Sequence, residues 1–177
     1  PNDGCPIEGE DLNDDVRLVM VDSQGFLEVW DNHPYINDKC EIKTREQFFI
    51  EFKDELKDEQ GKTIIVSIHH PVMSNTRHGL INKIAGFTEQ SYQNPLRKEL
   101  RDRLETLSRQ FEDVIFVSGN DRNLQYIEDD NTPQIISGAM GKLQRSKPEG
   151  DKDFAAKKTG FIKLNVYENG RSVVDFY

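Results

Sequence analysis

"VIFVSGNDRNLQYIEDD", residues 114–130, is the stretch on which the fold turns. An apolar run, Val114-Ile115-Phe116-Val117, leads into Ser118-Gly119, and Asn120, Asp121, Arg122 and Asn123 follow at once. A buried strand that ends in a glycine and a polar cluster is how many α/β proteins present site residues, at the carboxyl end of the strand. The pattern occurs twice more. The run "VRLVMV" (Val16–Val21) ends in Asp22-Ser23, and "TIIVSI" (Thr63–Ile68) ends in His69-His70-Pro71. If these strands are parallel neighbours, their polar ends share one edge of a sheet.

The segments between them support that arrangement. Thr44 and Gln47 have the spacing of a capping box, and Phe48, Phe49, Phe52 and Leu56 fall on one face of the helix it opens, which Gly61 stops. Asn94-Pro95 is a second helix start, with Asn as the cap and Pro at the first helical position; Leu96, Leu100, Leu104, Leu107 and Phe111 form its apolar stripe. Strand–helix–strand–helix–strand calls for a parallel sheet covered by helices. Short β-like runs then follow at residues 124–128, 134–137, 161–167 and 172–176, with Asn169-Gly170 as a hairpin turn between the last two. Residues 1–15 read as an irregular lead-in, 26–30 as a short strand or packed loop, and 72–93 as a long loop. Residues 140–158 read as a mobile basic loop.

At 177 residues the chain fits one domain. Its 31% charged residues and mean hydropathy of −0.73 describe a wet surface. No apolar run approaches the roughly 20 residues that span a bilayer. The net charge of −9 argues against nucleic acid, since phosphate contacts need a basic footprint. Position 1 is Pro and no signal peptide is visible, so the chain is expected to be processed or cut from a longer one. Cys5 and Cys40 form no C-x-x-C pair, which speaks against zinc and dithiol redox chemistry. Their spacing leaves open both two free thiols and one disulfide. There is no H-E-x-x-H, and the Gly-Lys step of "GAMGKL" lacks the spacing of a phosphate-cradling loop. A Ser23–His69–Asp121 triad lacks a nucleophile elbow around Ser23.

"IVSIHHPVMS" (residues 65–74), "VSGNDRNLQYIEDDNTPQIISGA" (residues 117–139) and "VRLVMVDSQ" (residues 16–24) together resemble the calcineurin-like metallophosphoesterases, in the branch of the purple or tartrate-resistant acid phosphatases. The resemblance runs through most of the chain and is weakest in residues 75–93 and 140–158. It implies an α/β fold, a β-sandwich flanked by helices, of which this chain looks like the C-terminal half. In that family a His-x-Pro strand end and a Gly-His-x-His-Asn-Leu-Gln-Tyr strand end supply metal-binding histidines. Here His69 matches the first, while Asn120 and Arg122 occupy the paired positions.

Those departures set the functional expectations. Asn is a weak neutral ligand, and Arg is a permanent cation with no lone pair to give. The family's cleavage of phosphoesters needs two ions about 4 Å apart. Its bridging carboxylates belong to a first half that nothing before Val16 can replace. The expected function is therefore a degenerate scaffold or binding subunit, with Arg122, His70 and Asp22 as candidate anion- or substrate-binding residues. The alternative is a phosphoester hydrolase completed by an N-terminal half in another segment or chain. In that case His69 and Asn120 would help to hold a pair of Fe, Zn or Mn ions. No cofactor is expected in this chain alone. A half-sandwich would expose an apolar sheet face, so the missing half or another protein is the expected partner. Acid-phosphatase relatives are usually exported, which implies a Cys5–Cys40 disulfide and a periplasmic or secreted location.

Overall fold

The computed structural model describes residues 4–30, 40–76, 94–129 and 132–177. Its main element is a mixed seven-stranded sheet in the order β1-β2-β3-β4-β6-β5-β7, followed by a two-stranded hairpin, β8-β9. The strands are β1 Ile7–Asn13, β2 Val16–Val21, β3 Thr63–Ile68, β4 Val114–Ser118, β5 Leu124–Ile127, β6 Gln134–Ser137, β7 Phe154–Ala156, β8 Ile162–Val166 and β9 Ser172–Phe176. The helices are α1, Arg45–Asp58, and α2, Pro95–Ser108.

The three apolar runs form the parallel centre, β2-β3-β4. Because β2, β3 and β4 step across the sheet in one direction, right-handed crossovers put both helices on the same face. That face holds the core. Val19 and Val21 of β2, Ile64, Val66 and Ile68 of β3, and Val114 and Phe116 of β4 meet Phe48, Phe49, Phe52 and Leu56 of α1 and Leu100 and Leu104 of α2. Local signals and packing agree at both helix starts. Thr44 Oγ1 accepts from Gln47 N–H while the Gln47 side chain accepts from Thr44 N–H, completing the capping box. Asn94 Oδ1 accepts from Leu96 N–H at 2.8 Å.

Among the described residues the opposite face is only partly covered. The β8-β9 hairpin lies over its far end, where Ile115, Tyr126, Ile135 and Phe154 line a cleft with Leu164, Val174 and Phe176. Over β2 and β3 the residues of that face, Leu18, Met20, Ile65 and Ser67, are exposed or half-buried.

Three expectations need correction. Most of the lead-in expected to be irregular at residues 1–15 is a strand: β1 pairs antiparallel with β2 from Ile7↔Val21 to Asn13↔Val16, while residues 1–3 lie outside the described residues. An edge strand is held by backbone bonds on one side, so its acidic, pattern-poor sequence still forms a strand. Residues 26–30 are neither strand nor loop, because Gly25–Val29 is a π-helical turn. Phe26 packs against Phe48 and Phe49 at ring distances of 5.0 and 5.5 Å, and Arg45 donates to the Phe26 carbonyl. Within residues 140–158, Phe154–Ala156 joins the sheet beside β5. The hairpin turn at Asn169-Gly170 forms as expected, with Gly170 at φ 76°. Of the long loop expected at 72–93, residues 77–93 lie outside the described residues.

Candidate functional site

The register of the parallel strands sets the site. Val21 pairs with Ile68 and Ile68 with Ser118, so Asp22, His69 and Gly119 leave the sheet side by side. They border an open cleft of about 510 Å³ on the helix-free face, together with Ser67, Ser118 and Ser137. The convergence expected of three polar strand ends is therefore present.

The individual side chains divide between those that face the edge and those turned into the fold. His69 is exposed. Asp22 is half-buried, and its Oδ1 accepts from Gly25 N–H at 2.8 Å, which fixes the start of the π-helical turn. His70, by contrast, is 4% exposed and points inward. Its Nδ1 is hydrogen-bonded to Ser23 Oγ at 2.9 Å, and its backbone N–H donates to the same oxygen. Burial, helped by the positive field of Arg97, lowers its pKa to about 3. A neutral, buried imidazole offers an anion no charge, so the placement of His70 does not support the anion-binding role expected of it.

Asp121 is 1% exposed, and its carboxylate accepts from Ser74 Oγ–H. Asn120 takes a positive φ of 40° and turns its amide toward Asp121 at 3.4 Å. A side chain at Gly138 would collide with the Asp121 carbonyl, so the turn and the end of β6 are in close contact. Arg122 is exposed, and its backbone rather than its side chain is engaged, with Gln144. No hydrogen bond or ion pair joins Arg122 to Asp22 or His69 among the described residues. The Ser23–His69–Asp121 triad is not assembled either, since Ser23 is bonded to His70 and Asp121 to Ser74.

These donors do not fit a pair of divalent ions. His69 and Asp22 can each offer a lone pair and Asn120 only a weak neutral oxygen, while Asp121 is bonded to Ser74 and Arg122 offers none. Among the described residues no group of three or more His, Cys, Asp or Glu side chains is placed to hold a metal.

Sequence reasoning missed the buried amide network beneath this edge. Gln134 accepts from Val72 N–H at 3.0 Å and Met73 N–H at 3.4 Å, and its amide donates to Ser118 Oγ and the Ile135 carbonyl. Gln125 donates to Thr76 Oγ1 and Asn123 Oδ1 and accepts from Asn75 N–H. The available signal was a glutamine inside each of two apolar strands, "LQYI" and "QIIS". A buried amide must find partners. Here the partners are the loop that follows His70.

No model of a known protein family matches the sequence, and no curated protein sequence matches it. Among solved structures, the chain is similar to GAP50, the anchor in the inner membrane complex of Plasmodium, at a TM-score of 0.59 and 19% identity, over 96% of this chain and 48% of that one. The likeness is one of fold. The chain spans about half the length of that structure. A putative 5′-nucleotidase from Staphylococcus aureus, solved in complex with α-ketoglutarate, aligns with 97% of the chain and 28% of its own, at a TM-score of 0.44 and 13% identity. Cys5 and Cys40 are joined in a disulfide with Cα atoms 5.3 Å apart. Among the described residues no helix is long and apolar enough to cross a membrane.

Proposed function

We propose that this chain is a degenerate metallophosphoesterase-like half-domain that serves as a scaffold or binding subunit and has no phosphatase activity of its own. The observation that carries the reading is the strand-end edge itself. Asp22, His69 and Gly119 leave the sheet side by side, while Asn120 and Arg122 stand where the resemblance calls for histidines. The neighbouring Asp121 carboxylate is committed to Ser74. The likeness to a protein described as an anchor supports a structural role over a catalytic one. The disulfide supports a periplasmic or secreted location, because such bonds persist in oxidising compartments.

A second reading has its own observation. The helix-free face of β2 and β3 presents Leu18, Met20 and Ile65 beside the cleft, a surface that a further half of the fold would cover. With such a half supplied, His69 and Asn120 are the residues of this chain that would help its ligands to hold a metal pair.

The experiment is elemental analysis of the purified chain followed by hydrolysis of an aryl phosphate with added zinc, manganese or iron. The expected outcome is no stoichiometric metal and background turnover. A tightly held metal pair would overturn the proposal. Asn120→His with Arg122→His should raise metal affinity only once the missing half is supplied.

A further inference from the structure

The basic segment after β6 is fastened to the fold rather than free of it. Gln144 N–H donates to the Arg122 carbonyl at 2.8 Å, and the Gln144 side chain accepts from Arg122 N–H at 2.9 Å. Ser146 pairs with Thr76 as an antiparallel bridge, and Lys147 N–H donates to the Asn75 carbonyl. Asp153 closes the far end, accepting from Asn75 Nδ2 at 2.7 Å and from the backbone N–H of Glu128 and Gly150 at 3.0 Å. Burial pushes its carboxyl up, but these hydrogen bonds outweigh that and hold it below the usual carboxylate range.

An extended chain sends alternate side chains to opposite sides. Gln144 and Ser146 turn inward: the Gln144 side chain lies on Arg122, and Ser146 Oγ is buried. Arg145 and Lys147 consequently turn outward and are exposed, as are Arg122 and Lys142. Among the described residues none of these four side chains has a carboxylate partner. Arg17, Arg101, Arg103 and Arg109 do, on the same chain of net charge −9. Four exposed cations thus stand on or beside a fastened segment of an acidic protein, with exposed Glu149 and Asp151 farther along it.

We infer that Arg122, Lys142, Arg145 and Lys147 form a docking strip for an extended acidic segment of a partner protein. The spacing supports a peptide: side chains on one side of an extended chain stand about 6.6 Å apart, so carboxylates at alternate positions of such a segment match Arg145 and Lys147 in register. Nucleic acid is disfavoured by the short strip and the lack of aromatic side chains along it. An anionic lipid surface would have to approach the whole acidic protein as a plane, whereas a single strand need touch only the strip. The inference rests on the binding-subunit reading and gives that subunit a ligand class.

The test uses the intact, disulfide-bonded chain and a fluorescein-labelled synthetic peptide of alternating Glu and Ser, read by anisotropy. Controls are a peptide of the same composition with its glutamates in one block, and phosphatidylserine vesicles. The alternating peptide should bind more tightly than the block peptide, and binding should weaken several-fold between about 50 and 200 mM salt. Arg145→Glu with Lys147→Glu should weaken it by about tenfold or more, while Lys98→Glu on the exposed side of α2 leaves it unchanged. Far-ultraviolet circular dichroism checks that each variant is folded. No binding at low salt, equal binding by the charge-reversed variant, or vesicle binding without peptide binding would each overturn the proposal. A chain that turned over phosphate esters yet still bound the peptide would sink the preceding proposal and leave this one standing.

Discussion

Stability should fall with acidification more steeply than the carboxylates alone require, and His70 is the reason. In the folded chain its imidazole is buried against Ser23 with a pKa of about 3, while in the unfolded chain it titrates near the ordinary value of 6.5. The folded pKa is the lower of the two, so the contribution is fully present above pH 6.5 and is lost as pH falls toward 3. In that window the unfolded chain takes up a proton that the fold refuses. At 1.36 kcal/mol per pH unit, the loss by pH ~5 amounts to about 2 kcal/mol. Urea unfolding midpoints at about pH 7.5 and pH 5, compared between the wild type and His70→Asn, isolate the contribution of this imidazole from other titrations. The variant pays a pH-independent cost for its altered contact with Ser23, but its stability should fall by about 2 kcal/mol less over the same interval. Equal slopes for the two proteins would refute the argument. So would an NMR titration in which the His70 ring protonates near its ordinary value.

Two further outcomes follow from the network and the crosslink. Gln134→Ala should destabilise the chain by about 2–4 kcal/mol in chemical denaturation, because it strips the Val72 and Met73 N–H groups of their shared acceptor; hydrogen exchange at those two amides should speed up with it. Reducing Cys5–Cys40, which are separated by 35 positions, should lower stability by about 3–4 kcal/mol on loop-closure grounds, read as a shift of the urea midpoint with and without reductant.

Much of this fold is legible in the sequence because its signals are local. Thr44 and Gln47 write a helix start within four residues, Asn94-Pro95 writes another, and the runs at β2, β3 and β4 are apolar enough to be buried on at least one face wherever they lie. Their polar endings, read in parallel, also place Asp22, His69 and Gly119 on one edge. The errors occur where distant contacts outweigh the local signal. β1 is made a strand by its neighbour β2, and the π-helical turn at Gly25–Val29, though capped by Asp22, is held in place by ring packing with Phe48 and Phe49.

The site divides along the same line. Residue identity alone establishes that Arg122 cannot ligate a metal and that Asn120 is a poor substitute for histidine, since that is a matter of lone pairs. Which of two adjacent histidines faces solvent is not written in "HHP". The pleat and the position of Ser23 decide it, leaving His69 on the edge and burying His70. Likewise the composition of residues 142–147 shows positive charge, but only backbone pairing with Arg122 and with residues 75 and 76 turns that charge into a fixed strip. Propensity and valence are properties of a residue and its near neighbours, and the sequence carries them outright. Orientation and partnership depend on contacts across long stretches of chain, so only the tertiary structure settles them.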